Sequence, residues 1–372
     1  MQISSVVLKN EEKAVFELRE LYSRYGYLQY KMSKFEEYDL YVRNKDFLVS
    51  ENIITFTDTD GKLLALKPDV TLSIIKNSKD EPESTRRVYY NENVYRAEKQ
   101  GHAVKEIMQV GLECIGNIDD YCIYEVLELS AKSLEKISES FVLDISHMGI
   151  VGEVISQMGA DLQTEKKLLK CIGEKNTHGI ISICEENGLC PDVLIKLVST
   201  YGSAEKVIPV LMEIDNENIR REAKRLSDII NALCRSNSTY KDKIRIDFSV
   251  INDMSYYNGF VFKGFVDGIA DGILSGGQYD RLLSKMNRKS GAIGFAVYLD
   301  MLERLGGGEK KSDVDAVVLY DDSVSFETLA EECEKLKKQG FTVSAQKSIP
   351  EKLKYEKLYK ITDKGAAEIA DA

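Results

Sequence analysis

The strongest constraint on this chain is the alternation in residues 105–115, Lys-Glu-Ile-Met-Gln-Val-Gly-Leu-Glu-Cys-Ile. In an extended strand, successive side chains point to opposite sides. Met108, Val110, Leu112 and Cys114 therefore share one face, and Gln109, Gly111 and Glu113 share the other. A strand with one apolar face and one polar, glycine-bearing face suits a sheet that covers a core and floors a pocket. Residues 86–96 read as its partner strand, joined to it by the polar loop Glu98 to His102.

The remaining elements can be placed around that pair. Asn10 followed by Glu11 and Glu12 reads as a helix cap, and apolar residues at 14, 15, 18, 21, 22 and 25 give a helical stripe stopped by Gly26. Tyr27 to Tyr41 mixes strand with loop. Asp58-Thr59-Asp60-Gly61, between Ile53–Thr57 and Leu63–Leu66, carries the Asp-Gly signal of a hairpin. A short helix is expected after Pro68, and Tyr121 to Ile137 has helical spacing. Residues 150–240 hold little strand signal and read as a helical insertion, placed at about 155–240. Strand signal resumes at Ile244, and Asn258-Gly259 predicts a second hairpin turn into Phe260-Val261-Phe262. Gly276-Gly277 marks a place where a backbone comes close to a ligand. Ala292 to Leu305 reads as an apolar helix. The glycine-rich 306–312 stretch lacks the G-x-x-x-x-G-K-[ST] spacing of a phosphate loop and reads as a linker. Beyond it, 313–372 reads as a small α/β unit.

Composition narrows the function classes. Among 372 residues, Lys+Arg 50 against Asp+Glu 61 leaves a net charge of −11, which opposes wholesale binding of a phosphate backbone. The seven cysteines show no C-x-x-C, and the three histidines (His102, His147, His178) are dispersed, so neither a disulfide framework nor a metal tract is expected. No apolar run approaches the ~20 residues of a membrane span. The expectation is a cytosolic chain with reduced thiols, no cofactor and no membrane partner.

Five segments, in order, then resemble a known family. They are Leu66-Lys67-Pro68-Asp69-Val70-Thr71, Val94-Tyr95-Arg96-Ala97-Glu98 and Met108-Gln109-Val110-Gly111-Leu112-Glu113. After these come Ser255-Tyr256-Tyr257 with Phe260-Val261-Phe262, then Ser275-Gly276-Gly277-Gln278-Tyr279-Asp280 with Gly294-Phe295-Ala296. They are similar to the L-R-P-E-G-T, F-R-x-E, H-Q-L-G-C-E, L-D-Y-Y…V-F and G-G-R-Y-D signatures, with the motif 3 helix, of histidyl-tRNA synthetases. The resemblance covers about residues 10–305. It implies an α+β class II aminoacyl-tRNA synthetase-like fold over 1–305, an antiparallel sheet flanked by helices, and a truncated anticodon-binding-like unit over 313–372. It also implies a pocket for free histidine in which Asp69 meets the amino group and Thr71 supports it. Gln109 and Glu113 lie on the floor, Tyr257 and Tyr279 stand near the imidazole, and Arg96 is the candidate anion contact.

The pattern breaks where adenylation needs fixed cations. Asn252 stands where the family carries the arginine before Tyr-Tyr. Met301 stands where G-F-A-x-G-L-E-R-L carries the motif 3 arginine. Losing one preorganised charge-stabilising group costs on the order of 10²–10³ in rate. A chain with the pocket but not these cations resembles the regulatory subunits of ATP phosphoribosyltransferase, paralogues of the synthetase. That resemblance implies a non-catalytic subunit that joins the short catalytic subunit of the first step of histidine biosynthesis. It implies homodimers within a hetero-oligomer, a part in feedback inhibition by free histidine, and no role for tRNA. A divergent active synthetase and a stand-alone amino-acid sensor are the alternatives.

Overall fold

The computed structural model describes residues 8–44, 53–97, 104–251, 257–304, 312–362 and 365–369. The chain divides into two compact units, Met1–Leu305 and Gly306–Ala372. Strands of the first unit are β1 (Leu28–Gln29), β2 (Phe35–Glu37), β3 (Thr55–Thr57), β4 (Leu63–Leu66), β5 (Thr85–Ala97) and β6 (Val104–Gly116), followed by β7 (Phe141–His147), β8 (Ile244–Ile246), β9 (Phe260–Val266), β10 (Leu274–Gln278) and β11 (Gly291–Tyr298). Among the described residues eight of them form one sheet in the order β1-β5-β6-β11-β10-β9-β7-β8. It is antiparallel except at its two edges, where β1 runs parallel to β5 and β8 to β7.

The register of this sheet separates two faces. Val110, Leu112 and Cys114 of β6 share a core with Ile293, Phe295 and Val297 of β11 and with Phe260 and Phe262 of β9. Helices α1 (Asn10–Arg24) and α4 (Asp120–Ile137) cover that face. The first buries Leu18 and Tyr22, and the Tyr22 hydroxyl bonds the Ser133 hydroxyl of the second at 2.9 Å. The opposite face packs Tyr90, Val94, Ile115 and Ala292. There it meets α2 (Tyr38–Val42), α3 (Thr71–Lys76) and a three-stranded sheet in the order β2-β4-β3. The β3–β4 turn holds Gly61 at φ 81°, with Asp58 Oδ1 accepting the amides of Asp60 and Lys62. This is the turn the Asp-Gly signal predicts.

Between β7 and β8 run α5 (Met148–Gln157), α6 (Leu162–Gly173), α7 (Thr177–Glu186), α8 (Asp192–Ser199), α9 (Ala204–Met212), α10 (Glu217–Ser236) and α11 (Tyr240–Lys243). Apolar residues of α10 at 219, 223, 226, 230 and 233 fall on one stripe and are buried. The short α12 (Asp280–Lys285) follows β10. The second unit is a sheet of β12 (Val314–Leu319), β13 (Val343–Gln346), β14 (Tyr355–Thr362) and β15 (Gly365–Ile369) in the order β13-β12-β14-β15, with α13 (Phe326–Lys338) ended by Gly340 at φ 95°.

Several expectations are corrected. Residues 292–298 are strand, not helix. β11 is buried between β6 and β10, and a short apolar run in mid-sheet carries no alternation to separate it from a helix. Only Leu299–Arg304 is helical, as a 3₁₀ turn. Asn258-Gly259 is no hairpin turn, because β8 and β9 do not pair and neither residue has positive φ. Asn258 instead docks on the end of β10, its side chain accepting the Asp280 amide at 2.9 Å. The first helix is capped at Lys9, whose amide donates to Glu12 at 2.9 Å, one residue before the expected Asn10. The Glu98 to Ala103 loop, Asn252, Ser255, Tyr256 and most of the 306–312 stretch lie outside the described residues.

In the core covered by α1 and α4, the Phe295 ring packs edge-on against Tyr22 at 6.0 Å and Phe262 at 6.3 Å. Phe295→Ala should lower unfolding stability by about 3–5 kcal/mol in urea denaturation followed by circular dichroism. A loss below about 1 kcal/mol would place that ring outside the core.

Candidate functional site

On the second face of the large sheet, the Glu113 side chain is only 2% exposed. Its two oxygens are held from different elements. Thr71, the first residue of α3, donates its hydroxyl to Oε1 at 2.6 Å, and Tyr279, just beyond β10, donates its hydroxyl to Oε2. The chain reaches Thr71 through Pro68 and Asp69, and Asp69 Oδ1 accepts the Leu72 amide at 2.8 Å. That bond fixes the first turn of α3 and with it the Thr71 hydroxyl.

Glycines make the room. Gly294 of β11 lies opposite Glu113, and any side chain there would strike the carboxylate. The bare backbone of Gly277 lies under the Tyr257 ring, and that of Gly111 under the Tyr90 hydroxyl. Tyr257 meets Tyr279 edge to face, centroids 6.5 Å apart and planes at 82°. The glycine pair singled out in the sequence therefore admits an aromatic wall of this chain.

Further along the same face lie Gln109, 4% exposed, and Tyr298, its register partner on β11. The Arg96 Nε donates to the Pro68 carbonyl at 3.4 Å, and its charge lies near both Asp69 and the Tyr298 hydroxyl. Lys67 is fully buried, its Nζ 2.9 Å from Glu92. Thr71, Glu113 and Tyr279 are thus bonded directly, and Tyr257 joins them through its ring. Asp69 and Arg96 act on the site by charge, and Gln109 extends its floor. Reading the sequence missed Tyr90 and Tyr298. The first could have been found from strand pairing, which puts Tyr90 opposite Gly111. The second stands at the glycine of the resembled G-F-A-x-G pattern.

The electrostatics favour a ligand that brings positive charge. Burial pushes the Glu113 carboxyl up to about 8, and the Asp69 charge adds to this, against the bonds from Thr71 and Tyr279. Burial also raises Asp69, opposed by the Leu72 amide and Arg96. Burial makes both carboxyls costlier to ionise than in water, and an ammonium or imidazolium beside them would favour their ionised forms.

Beyond Tyr298 the same face opens into a cavity of about 610 Å³, lined by Met301, Ser275, Asp144, Asp247, Asp271 and Lys263 among others. Burial and the charge of Asp247 push Asp144 up to about 6. Lys175 is spent on Asp247, 2.7 Å away. Met301 brings no charge to it. Among the described residues, no group of three or more His, Cys, Asp or Glu is arranged to hold a metal ion, and no helix is long and apolar enough to cross a membrane.

Residues 6–302 match the family described as Histidyl-tRNA synthetase. The chain belongs to the histidyl-tRNA synthetase family. Its α+β fold, an antiparallel-centred sheet with helices against it, is that of a class II synthetase. The ATP phosphoribosyltransferase regulatory subunit of Acetivibrio thermocellus is 27% identical over 338 residues, 88% of this chain and 80% of that protein. A crystal structure of an ATP phosphoribosyltransferase regulatory subunit/histidyl-tRNA synthetase from Bacillus halodurans is 25% identical, with a TM-score of 0.71 over 93% of this chain and 91% of the other. A chain of the ATP phosphoribosyl transferase (HisG:HisZ) complex from Thermotoga maritima shares the fold at 19% identity, with a TM-score of 0.63 over 78% of this chain and 98% of the other.

Glu113 also sets a pH dependence for this member of the synthetase family. Its carboxyl is raised from 4.5 to about 8, so between those values the folded chain holds a proton that the unfolded chain releases. Stability contributed this way is full below the unfolded value and is lost as pH rises toward 8. Glu113→Gln removes the titration. Its melting temperature relative to wild type should therefore climb steadily from pH 5 to pH 8, and a flat difference would contradict a buried neutral carboxyl.

Proposed function

We propose that this chain is the regulatory subunit of an ATP phosphoribosyltransferase, the enzyme of the first step of histidine biosynthesis. It carries no adenylation chemistry of its own. The observation that supports this most is the pairing of two features on one sheet face. An intact acceptor site stands around Glu113, and beside it lies an acid-lined cavity where Met301 takes the place of a cation. A triphosphate entering that cavity would meet Asp144, Asp247 and Asp271 against Lys263 and an Asp247-paired Lys175. An amino acid entering the first site would meet Asp69 for its ammonium, Thr71 and Glu113 for its polar groups, Gln109 on the floor, and Tyr257 and Tyr279 around its ring.

In this reading the cytosolic chain joins the short catalytic subunit, supports its activity and takes part in feedback inhibition by free histidine. Histidine shifts the assembly only if it binds the inactive arrangement more tightly than the active one. A second copy of the chain pairs with the first near residues 11–41, where the edge strand β1 exposes Leu28 and α1 exposes Phe16. The C-terminal unit is a relic of an anticodon-binding domain with no tRNA to read.

The test uses the reconstituted heteromer and the isolated chain. Glu113→Ala should leave assembly intact and raise the histidine concentration for half-inhibition by about tenfold or more, the effect of losing a charged hydrogen-bonding group. An unmoved inhibition curve would remove the pocket from the sensing role. Histidine-dependent exchange of pyrophosphate into ATP by the isolated chain would make it a divergent synthetase instead.

A further inference from the structure

The two rings beside Glu113 each stand one residue before a member of a single hydrogen-bonded node. Tyr279 precedes Asp280, and Tyr257 precedes Asn258. The Asp280 amide donates to Asn258 Oδ1 at 2.9 Å, and Asn258 Nδ2 donates back to Asp280 Oδ2 at 3.0 Å. The same oxygen accepts Gln278 Nε2 at 2.7 Å, and Asp280 Oδ1 accepts the Ala292 amide at 2.9 Å. Backbone bonds run alongside, from the Asn258 amide to the Gln278 carbonyl at 3.1 Å and from the Tyr279 amide to the Ala292 carbonyl at 2.9 Å. Two glycines leave room for the node. A side chain on Gly259 would strike the Gln278 amide oxygen, and one on Gly291 would strike Asp280 Oδ1.

The node needs an acid at its centre. Three donors converge on the Asp280 side chain, and a carboxylate offers acceptor sites on both oxygens. A side-chain amide in its place would turn an N–H toward one of those donors. The bonds to the carboxylate are charge-assisted, so they hold the Asn258 side chain firmly to the end of β10. Tyr279 has a second hold, its hydroxyl on Glu113, whereas the Tyr257 ring rests on Gly277 and meets Tyr279 edge to face at 6.5 Å. Releasing Asn258 therefore moves the Tyr257 ring first. We propose that Asp280 is a positioning residue for ligand binding, which acts through Asn258 to hold the Tyr257 ring against Tyr279 where the imidazole is received. This rests on the reading of the pocket as a free-histidine site.

Two measurements on the full chain test it. Near-ultraviolet circular dichroism reads ring placement without a ligand, because the chain has 20 Tyr and no Trp. Calorimetric titration with L-histidine reads the affinity. Asp280→Asn should change the tyrosine band and weaken histidine binding at least about fivefold, the scale of a lost bond to a charged group. In a Tyr257→Leu background both effects should vanish, since residues that act through one another do not add. Asn258→Ala breaks the other half of the clamp and should behave alike, which keeps the question answerable should Asp280→Asn fail to fold. An unchanged band, an unchanged affinity, or losses that add in full to that of Tyr257→Leu would each overturn the positioning role, although the pocket reading survives them. If wild type binds no histidine at all, the pocket reading falls and the proposal falls with it, whatever the band shows.

Discussion

The site depends on one carboxylate in the middle of a sheet. Glu113 leaves β6 on the face away from the main core, and its two oxygens fix hydroxyls from α3 and from the end of β10. Those elements lie 42 and 166 residues away in sequence. A buried carboxyl is tolerated only when its oxygens are satisfied, so this contact ties the first turn of α3 and the close of β10 to a single point. Gly294 and Gly111 follow from it, since the sheet must leave space for the carboxylate and for the Tyr90 hydroxyl.

Under the proposed assignment, this arrangement is how a synthetase-family chain would serve as a receptor. Recognising an amino acid needs acceptors for an ammonium and an imidazole, and those are neutral or acidic groups already buried in the floor. Activating it needs several fixed cations around a triphosphate. On this sheet face the adjoining cavity carries more acids than cations. Asp144, Asp247 and Asp271 line the adjoining cavity together with Lys175 and Lys263, Lys175 is paired with Asp247, and Tyr298 forms part of the wall.

Much of this was legible before any coordinates. The alternation over 105–115 gave the correct face for Glu113 and Gln109, because period two survives wherever one face is apolar and the other polar. Asp-Gly at 60–61 and the Gly26 helix stop were also readable, since each sits at positive φ, where glycine is favoured. The strand at 292–298 was not. Both its faces are covered, so its run of apolar residues lost the period that marks a strand. Asn258-Gly259 misled for a different reason. Its side chain and bare backbone were needed to dock on Gln278 and Asp280, and the sequence carries no trace of that distant contact. Tyr90 and Tyr298 join the site only through strand register, which a single strand read alone does not contain.

The central claim is that the chain recognises free histidine without a nucleotide. Equilibrium dialysis of the isolated chain against labelled L-histidine and labelled ATP with magnesium, each alone and then together, tests it most directly. The expected result is saturable retention of histidine, no retention of ATP, and histidine binding that ATP leaves unchanged. Retention of ATP, or histidine binding that requires ATP, would contradict it.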